Sequence, residues 1–284
     1  MKISIAPGVR LFVDVEGAVL MPHAGALRLK PTLILLHGGP GYDHLGFKPA
    51  FSQLADIAQL VYYDHRGHGR SDPRPSAELT LDTFAEDLVS LCAALGIERP
   101  IVFGQSFGGF VAQRYIANYP GHAAKVILSS TSPHLGLARK LAMFDKLGGP
   151  EARDAAQNFW TAPSDTSWAV YQRVCKPLYG AVTAAKKTDA PARQGSFNKD
   201  ILFAWAGGEQ QTMDLLPGLA RAQCPVLVLA GQLDPVCPID DARDIVAALP
   251  EHQVQFAPFG GCGHGVWRDQ PEAAFARIRQ FIGQ

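Results

Sequence analysis

The fold is decided by residues 101–111, which read Ile101-Val102-Phe103-Gly104-Gln105-Ser106-Phe107-Gly108-Gly109-Phe110-Val111. A short run of apolar β-forming residues precedes a Gly-x-Ser-x-Gly sequence, and an apolar helical pattern follows it. This order predicts a buried strand that turns sharply into a helix, where the glycines at 104 and 108 let the strand and helix approach closely. The hydroxyl of Ser106 would then project above the carboxyl end of the strand, at a helix N-terminus that favours developing negative charge.

Similar apolar runs occur elsewhere in the chain, at residues 33–36, 60–63, 126–128 and 226–229. They do not alternate with polar residues, which is typical of parallel strands buried on both faces. Helical patterns lie between them, and the clearest has its apolar residues on one face from Leu81 to Leu95, with the helix starting at Thr80. Alternating strands and helices predict an α/β fold with a mostly parallel β-sheet flanked by helices.

The alternation of strands and helices breaks after Ser132-Pro133 and resumes at Cys224-Pro225. The intervening pattern is helical, with candidate helices at 135–147, 150–160, 165–176 and 198–215 and a polar stretch at 186–197. We therefore predict a core of residues 1–132 and 223–284 and an inserted helical cap of residues 133–222. The insertion is a candidate lid over a site, and the alternative is a helical layer with only a packing role.

Composition limits the kinds of partner. The 284 residues include 26 Lys plus Arg and 26 Asp plus Glu, so the formal net charge is zero and a nucleic-acid partner is disfavoured. The sequence has no 18-residue apolar stretch for a membrane span, and its N-terminus lacks the apolar core of a secretory signal. Five widely spaced cysteines without a Cys-x-x-Cys sequence fit reduced thiols in a cytoplasm. We expect a cytoplasmic protein without a zinc site.

A serine hydroxyl is a poor nucleophile until a base takes its proton, and that base needs a third group to orient it. Asp234 directly follows the strand-like run 226–229, and His264 lies in a loop with glycines at 260, 261, 263 and 265. The order Ser106, Asp234, His264 is the one that a strand–turn–helix serine requires. Asp240 and Asp241 are rivals to Asp234, but they fall inside the next predicted helix.

Two more glycine-rich loops follow predicted strands. The first, His37-Gly38-Gly39-Pro40-Gly41, can aim a backbone amide at a tetrahedral oxyanion. Pro40 has no N–H, so Gly38 or Gly39 must donate, and the amide of Phe107 would be the second donor. The second loop spans residues 64–72, and we predict that Arg66 and the flanking aspartates cross-link loops there. Metal binding by His65 and His68 is disfavoured, because no carboxylate–histidine cluster completes a coordination shell.

These motifs resemble those of the α/β-hydrolase superfamily over roughly residues 30–132 and 223–284. Within it, HGGPG at 37–41 and GQSFGG at 104–109 resemble the proline iminopeptidase group. The resemblance implies an exopeptidase that prefers an amino-terminal proline. It also implies a catalytic triad of Ser106, Asp234 and His264, with Gly39 and Phe107 as the oxyanion hole.

The chain departs from the resemblance at the amine-binding position. Many proline iminopeptidases have a Trp-Glu pair in the cap whose glutamate binds the substrate's free amine, and this sequence has none. The nearest acidic candidate is Glu209, in the stretch that begins Ala204-Trp205. A solvated glutamate at a helix end is the alternative interpretation of Glu209.

Two functions remain open at this point. One is an iminopeptidase-like aminopeptidase, and the other is a carboxylesterase, lactonase or amidase for small apolar acyl substrates, which the aromatic and weakly charged cap suits. A non-catalytic ligand receptor is disfavoured by the complete triad. We expect Gly38, Trp205 and Glu209 to contact the substrate, a small molecule or short peptide, and we expect no metal or organic cofactor to be needed.

Overall fold

The structure of the protein, a computed structural model, describes residues 1–23, 25–180 and 195–284. Its strands are β1 (Lys2–Ala6), β2 (Val9–Glu16), β3 (Leu20–His23), β4 (Ala26–Leu29), β5 (Thr32–Leu36), β6 (Gln59–Tyr63), β7 (Ile101–Gln105), β8 (Lys125–Ser129), β9 (Val226–Gly231) and β10 (Val254–Phe259). Its α-helices are α1 (Leu81–Leu95), α2 (Phe107–Asn118), α3 (Leu137–Thr161), α4 (Asp165–Val174), α5 (Lys199–Gly207), α6 (Leu216–Leu219), α7 (Ile239–Ala248), α8 (Val266–Asp269) and α9 (Pro271–Gly283). Most of the polar stretch predicted at 186–197 lies outside the described residues.

The main sheet has the strand order β1-β2-β6-β5-β7-β8-β9-β10. From β6 to β10 every neighbouring pair is parallel, whereas β2 is antiparallel to both β1 and β6. The prediction of a mostly parallel sheet is therefore confirmed. Strand β5 lies between β6 and β7. The chain runs from β5 to β6 on one side of β5, and then crosses over from β6 to β7 on the other side of β5. This creates a crevice at the carboxyl ends of β5 and β7, where open α/β sheets bind ligands.

Helices cover both faces of the sheet. On one face, buried side chains of α1, α2 and α7 pack on the strands, and on the other the 3₁₀ segment Ala50–Asp56 packs with α9. All residues of β7 and β9 are buried, as the continuous apolar runs predict. The helix predicted after Thr80 is also confirmed, because the Thr80 hydroxyl accepts a hydrogen bond from the N–H of Thr83 and caps α1.

The first two strands were not predicted. In β2, buried Val9, Leu11 and Val13 alternate with more exposed residues, which is the pattern of an antiparallel strand with one solvated face. Because β1 forms the outer edge of the sheet, its residues are only partly covered. The N-terminal segment therefore extends the sheet through antiparallel pairing.

Helices also occupy the described part of the interval between β8 and β9. The helices predicted at 135–147 and 150–160 follow one another within α3, and the non-helical backbone of Gly149 (φ 71°), just before Pro150, forms a kink between them. The helix predicted at 198–215 is shorter, because α5 ends at Gly207 and a 3₁₀ turn, Glu209–Gln211, follows. Aromatic side chains of α3 and α4 form the centre of this layer. That residues 133–222 form a separate cap stays a prediction.

Within the described residues, no helix has both the length and the apolar character needed to cross a membrane.

Candidate active site

Ser106 lies on the sharp turn between β7 and α2. Its backbone has φ 53° and ψ −114°, a conformation that a residue with a side chain rarely adopts. The N–H of Ser106 donates to the carbonyl of Ser129 at 3.0 Å, which ties the turn to β8. A Cβ at position 104 would lie 2.8 Å from the carbonyl carbon of Gly108, and one at position 108 would lie 2.6 Å from that of Leu36. The predicted close approach at both glycines is therefore confirmed.

The structure brings Ser106, His264 and Asp234 into one hydrogen-bonded chain. Nε2 of His264 lies 3.0 Å from Oγ of Ser106, and Nδ1 lies 2.9 Å from Oδ2 of Asp234. Asp234 follows β9 and His264 follows β10, so both reach the edge of the sheet where β7 ends. With Nδ1 donating to the carboxylate, Nε2 is the nitrogen that can accept the serine proton.

The backbone around Asp234 holds its carboxylate in place. Asp234 is 0% exposed, and its Oδ1 atom accepts hydrogen bonds from the N–H groups of Val236 and Cys237, both at 2.8 Å. These bonds fix the orientation of the carboxylate toward His264. The rival carboxylates lie elsewhere: Asp240 pairs with Arg243, and Asp241 accepts a bond from Arg139 at 2.8 Å.

The predicted oxyanion donors lie beside the serine. Gly39 and Phe107 line the same cavity as Ser106. Phe107 is the first residue of α2, where the backbone N–H has no acceptor inside the helix. Gly39 has φ 59°, and a Cβ there would lie 2.6 Å from the ring of Tyr42, so this position favours glycine. Gly38 packs against the serine, because a Cβ there would lie 3.2 Å from Cβ of Ser106.

Buried histidines support the loop that carries Gly38 and Gly39. Nε2 of His37 accepts a hydrogen bond from the N–H of His65 at 3.1 Å. The ring of His37 packs on those of His65 and His68, with centroids 4.3 Å and 5.4 Å away. Burial lowers the pKa of all three imidazoles, and that of His68 falls to about 3. Neutral histidines therefore form the packing layer under this loop.

The loop at residues 64–72 has the structural role that the sequence predicts. Arg66 donates two hydrogen bonds to Asp87 in α1, at 2.9 Å and 2.5 Å, and a third to Glu78 at 3.3 Å. Asp64 accepts from the backbone N–H groups of His44 and Arg70. Arg66 and Asp64 thus cross-link three loops beside the site.

A cavity of about 350 Å³ opens above Ser106 and His264. Its wall is largely aromatic and includes Phe47, Phe110, Phe159, Trp160, Trp168 and Trp205. Trp205, predicted to contact substrate, packs edge-on against Phe107 with ring centroids 5.0 Å apart. Its indole nitrogen has no hydrogen-bond acceptor in the part of the chain that the structure describes. Such a wall suits a small substrate with an apolar body.

The charged groups of the cavity are mostly basic. Lys140, Lys176 and Arg268 line it, and Asp43 is the single carboxylate among its described lining residues. Oδ1 of Asp43 accepts from the N–H of Leu45 at 3.0 Å, and Oδ2 accepts from the N–H and hydroxyl of Ser196 at 2.6 Å and 2.9 Å. The Asp43 carboxylate is therefore already occupied by protein donors.

Glu209 lies in a neighbouring cavity of about 280 Å³, and it is not among the described residues that line the cavity of Ser106. Its Oε2 atom accepts a hydrogen bond from the N–H of Leu81 at 3.0 Å, at the N-terminus of α1. Burial raises the pKa of Glu209. The structure therefore does not place Glu209 beside the serine, and its carboxylate serves the helix end instead.

Two groups of side chains have atoms close enough to share a metal ion. Asp234, Cys237 and His264 form the first, but hydrogen bonds already occupy the carboxylate, and burial raises the pKa of the Cys237 thiol, so it keeps its proton. In the second, His134, Asp241 and Asp244, the guanidinium of Arg139 binds both carboxylates. In the first group the thiol is protonated, and in the second a guanidinium already neutralises charge on both carboxylates, so neither group favours a metal ion.

Lys140, Lys176, Arg268 and Asp43 were not predicted as site residues. For Lys140 the sequence contains a signal, because it lies four positions before buried Phe144 and three after Leu137, on the apolar side of α3. Arg268 follows the His264 loop closely in sequence, which is a weaker indication. Asp43 and Lys176 have no comparable pattern around them.

Comparisons with known proteins agree with this fold. A family profile described as alpha/beta hydrolase fold matches residues 31–266. A proline iminopeptidase of Pestalotiopsis fici is 25% identical over 282 residues, covering 95% of this chain and 98% of that protein. The structure of a proline iminopeptidase from Mycobacterium smegmatis superimposes with a TM-score of 0.77 at 23% identity, covering 100% of this chain and 97% of that one. An esterase from Thermogutta terrifontis superimposes with a TM-score of 0.72 at 24% identity, covering 99% of this chain and 97% of that one.

Proposed function

Because the chain belongs to the α/β-hydrolase fold family, we propose that it is a serine hydrolase in which Ser106 attacks the acyl carbon of an ester, lactone or amide. The observation that carries this proposal is the hydrogen-bonded chain from Ser106 through His264 to buried Asp234. A histidine in this position is a base for the serine and later an acid for the leaving group.

The proposed reaction proceeds through an acyl-enzyme. His264 accepts the proton of Ser106 as Oγ bonds to the acyl carbon, and Asp234 stabilises the imidazolium that forms. The N–H groups of Gly39 and Phe107 donate to the oxyanion of the tetrahedral intermediate. His264 then protonates the departing alcohol or amine, activates a water molecule, and that water releases the acid from Ser106.

We favour small carboxylic esters, lactones and amides as substrates over peptides with a free amino-terminal proline. An aminopeptidase needs a carboxylate to bind the substrate ammonium. Among the described residues, the carboxylate that lines the cavity is that of Asp43, and it is already bound by Leu45 and Ser196. Glu209 is bound to the N-terminus of α1. The aromatic wall, contributed largely by the proposed cap, supports an acyl substrate with an apolar body.

A proline iminopeptidase is the second candidate. It is favoured by the relative of that name from Pestalotiopsis fici, which matches along 95% of this chain, and by the HGGPG sequence at 37–41.

A substrate panel tests the choice between these functions. The purified protein and its Ser106→Ala variant are given proline 4-nitroanilide, 4-nitrophenyl butyrate and a γ-lactone, and kcat/KM is measured for each. We expect the esters or lactones to be cleaved with the higher kcat/KM and the Ser106→Ala variant to cleave none of them. A higher kcat/KM for the proline anilide would establish the second candidate. Equal turnover by the Ser106→Ala variant would refute the serine mechanism.

A further inference from the structure

Lys140 is a buried cation in the wall of the Ser106 cavity. It lies near the start of α3 and is 1% exposed. Its Nζ atom donates a hydrogen bond to the carbonyl of Val236, two residues after Asp234, and lies 5.6 Å from the ring centroid of Trp160. An ammonium group has three N–H donors, and a single carbonyl is its hydrogen-bond partner among the described residues.

Among the described residues, the ammonium group of Lys140 also has no direct counter-ion. No carboxylate oxygen of the described residues lies within 4 Å of its Nζ atom. Asp241 is near enough for Lys140 to favour its ionised form, but Asp241 forms its ion pair with Arg139 at 2.8 Å. A buried charge without a partner is unfavourable unless something else supplies the opposite charge.

The other charged groups that line the cavity also favour a negatively charged ligand. Lys176 and Arg268 add two further basic groups to the wall, whereas Asp43 is the single carboxylate among the described lining residues, and it accepts hydrogen bonds from Leu45 and Ser196. Asp234 is not among the described lining residues, and its carboxylate is hydrogen-bonded to His264 and to two backbone N–H groups. A bound ligand therefore meets a positively charged, largely apolar cavity.

We propose that Lys140 determines specificity by binding a carboxylate of the substrate, so that the hydrolase acts on small acyl compounds that carry an anionic group. This inference rests on the proposed serine hydrolase function and names its substrate class. The aromatic wall contacts the short apolar chain, and Lys140 forms a charge-assisted hydrogen bond with the carboxylate. Half-esters of short dicarboxylic acids have both features.

Two matched pairs of substrates test this proposal. Monomethyl glutarate and methyl pentanoate have acyl chains with the same number of carbons. The acyl chain of the first ends in a carboxylate, and that of the second ends in a methyl group. In the second pair, 4-acetoxybenzoate and 4-methylphenyl acetate, the carboxylate is on the leaving group. The measured quantity is the ratio of kcat/KM for the anionic ester to kcat/KM for its neutral partner.

The variants are Lys140→Met, which removes the charge and keeps the length of the side chain, and Lys140→Arg, which keeps the charge. Lys146→Met is the matched control, since Lys146 is exposed on the same helix. We expect Lys140→Met to lower the ratio about tenfold or more in at least one pair. Lys140→Arg and Lys146→Met are expected to retain most of it. The change in kcat/KM for the neutral esters measures the effect of losing the contact with Val236 alone. If Lys140→Met leaves the anionic-to-neutral ratio unchanged in both pairs, the proposal is overturned.

A binding measurement keeps the proposal testable if Lys140→Met does not fold or if no ester of the two pairs is cleaved. Calorimetric titration of the Ser106→Ala protein with monomethyl glutarate and methyl pentanoate compares the two ligands without turnover. Tighter binding of the anion by about tenfold supports the proposal. Equal affinity for the two ligands refutes it. If the wild-type protein cleaves no ester but the Ser106→Ala protein binds the anion more tightly, only the proposed hydrolase function is refuted.

Discussion

Oγ of Ser106 and Nε2 of His264 lie 3.0 Å apart, although 158 positions separate the two residues in the chain. The contact forms because the loops after β7 and β10 leave the same edge of a parallel sheet. A distance of 3.0 Å is a hydrogen bond, so a proton can pass from the serine to the histidine without any rearrangement of the protein. Catalysis should therefore be sensitive to the orientation of the His264 ring.

Asp234→Asn changes the tautomer of the His264 ring, because it replaces a hydrogen-bond acceptor at Nδ1 with a donor. The asparagine oxygen can still accept from Val236 and Cys237, but its NH₂ group would face Nδ1 of His264. The imidazole would then carry its proton on Nε2, where it cannot accept the proton of the serine. We expect kcat for a substrate ester to fall by about 10⁴ with little change in KM. Asp240→Asn, an exposed position in α7, is the control, and an equal loss in both variants would argue against a specific role for Asp234.

Gly108→Ala tests the close approach of α2 to β5. The new methyl group would lie 2.6 Å from the carbonyl carbon of Leu36 and 2.8 Å from the carbonyl oxygen of His37, so the backbone must move. We expect the free energy of unfolding in urea to fall by about 3 kcal/mol. In Gly283→Ala the new methyl group has no atom within 4 Å and should change this free energy by less than about 0.5 kcal/mol. Similar values for the two variants would contradict the packing described here.

His68→Asn tests the effect of buried histidine on acid stability. The native protein leaves His68 unprotonated down to a pKa of about 3, whereas the unfolded chain protonates it below about pH 6.5. The unfolded state therefore binds more protons in this window, and the free energy of unfolding decreases as the pH falls from about 6.5 toward 3. Removing this histidine should make the loss between pH 7 and pH 5 smaller by roughly 2 kcal/mol.

Urea denaturation at pH 7 and pH 5 measures that difference. The matched control is His252→Asn, at an exposed position outside the site, which should keep the full loss of stability of the wild type. Asparagine can still donate to the carbonyl of Arg66, as the His68 ring can at 2.7 Å. An unchanged loss in His68→Asn would show that His68 does not drive the acid sensitivity.

Glu209→Ala separates a helix-capping role from a substrate-binding role. It removes the acceptor for the N–H of Leu81 at the start of α1, and we expect the free energy of unfolding to fall by about 1 kcal/mol. The ratio of kcat/KM for proline 4-nitroanilide to that for 4-nitrophenyl butyrate should stay the same. Glu272→Ala, an exposed glutamate in the first turn of α9, is the control for charge removal at a helix start. A selective loss of anilide turnover in Glu209→Ala would instead identify Glu209 as the amine anchor.

Much of the sheet and of the chain Ser106–His264–Asp234 could be predicted, because these features depend on local patterns. Continuous apolar runs identify the central strands, and the glycines at 104 and 108 identify a turn that no larger residue fits. The position of Asp234 follows from the strand before it, since a residue just past a parallel strand lies at its carboxyl edge. In each case the neighbouring residues in sequence were enough.

The remaining features depend on contacts between distant segments. Glu209 is separated by 128 positions from Leu81, whose N–H it accepts, and only the packing of α5 near α1 reveals that contact. Lys140 resembles a solvent-exposed lysine by its residue type, but α3 turns it toward Val236 on the loop after β9. β1 and β2 form the sheet edge through antiparallel pairing. Their weak and partly polar sequence patterns do not predict this pairing.

Labelling with a fluorophosphonate tests the central claim, that Ser106 is a nucleophile activated by His264, most directly. The wild-type protein should gain one phosphonyl group, which peptide mass spectrometry should locate on Ser106. Ser106→Ala should gain none, and His264→Gln should react at least about 10²-fold more slowly. Labelling of Ser106→Ala at the wild-type rate, or modification of the wild type at another residue, would contradict the account.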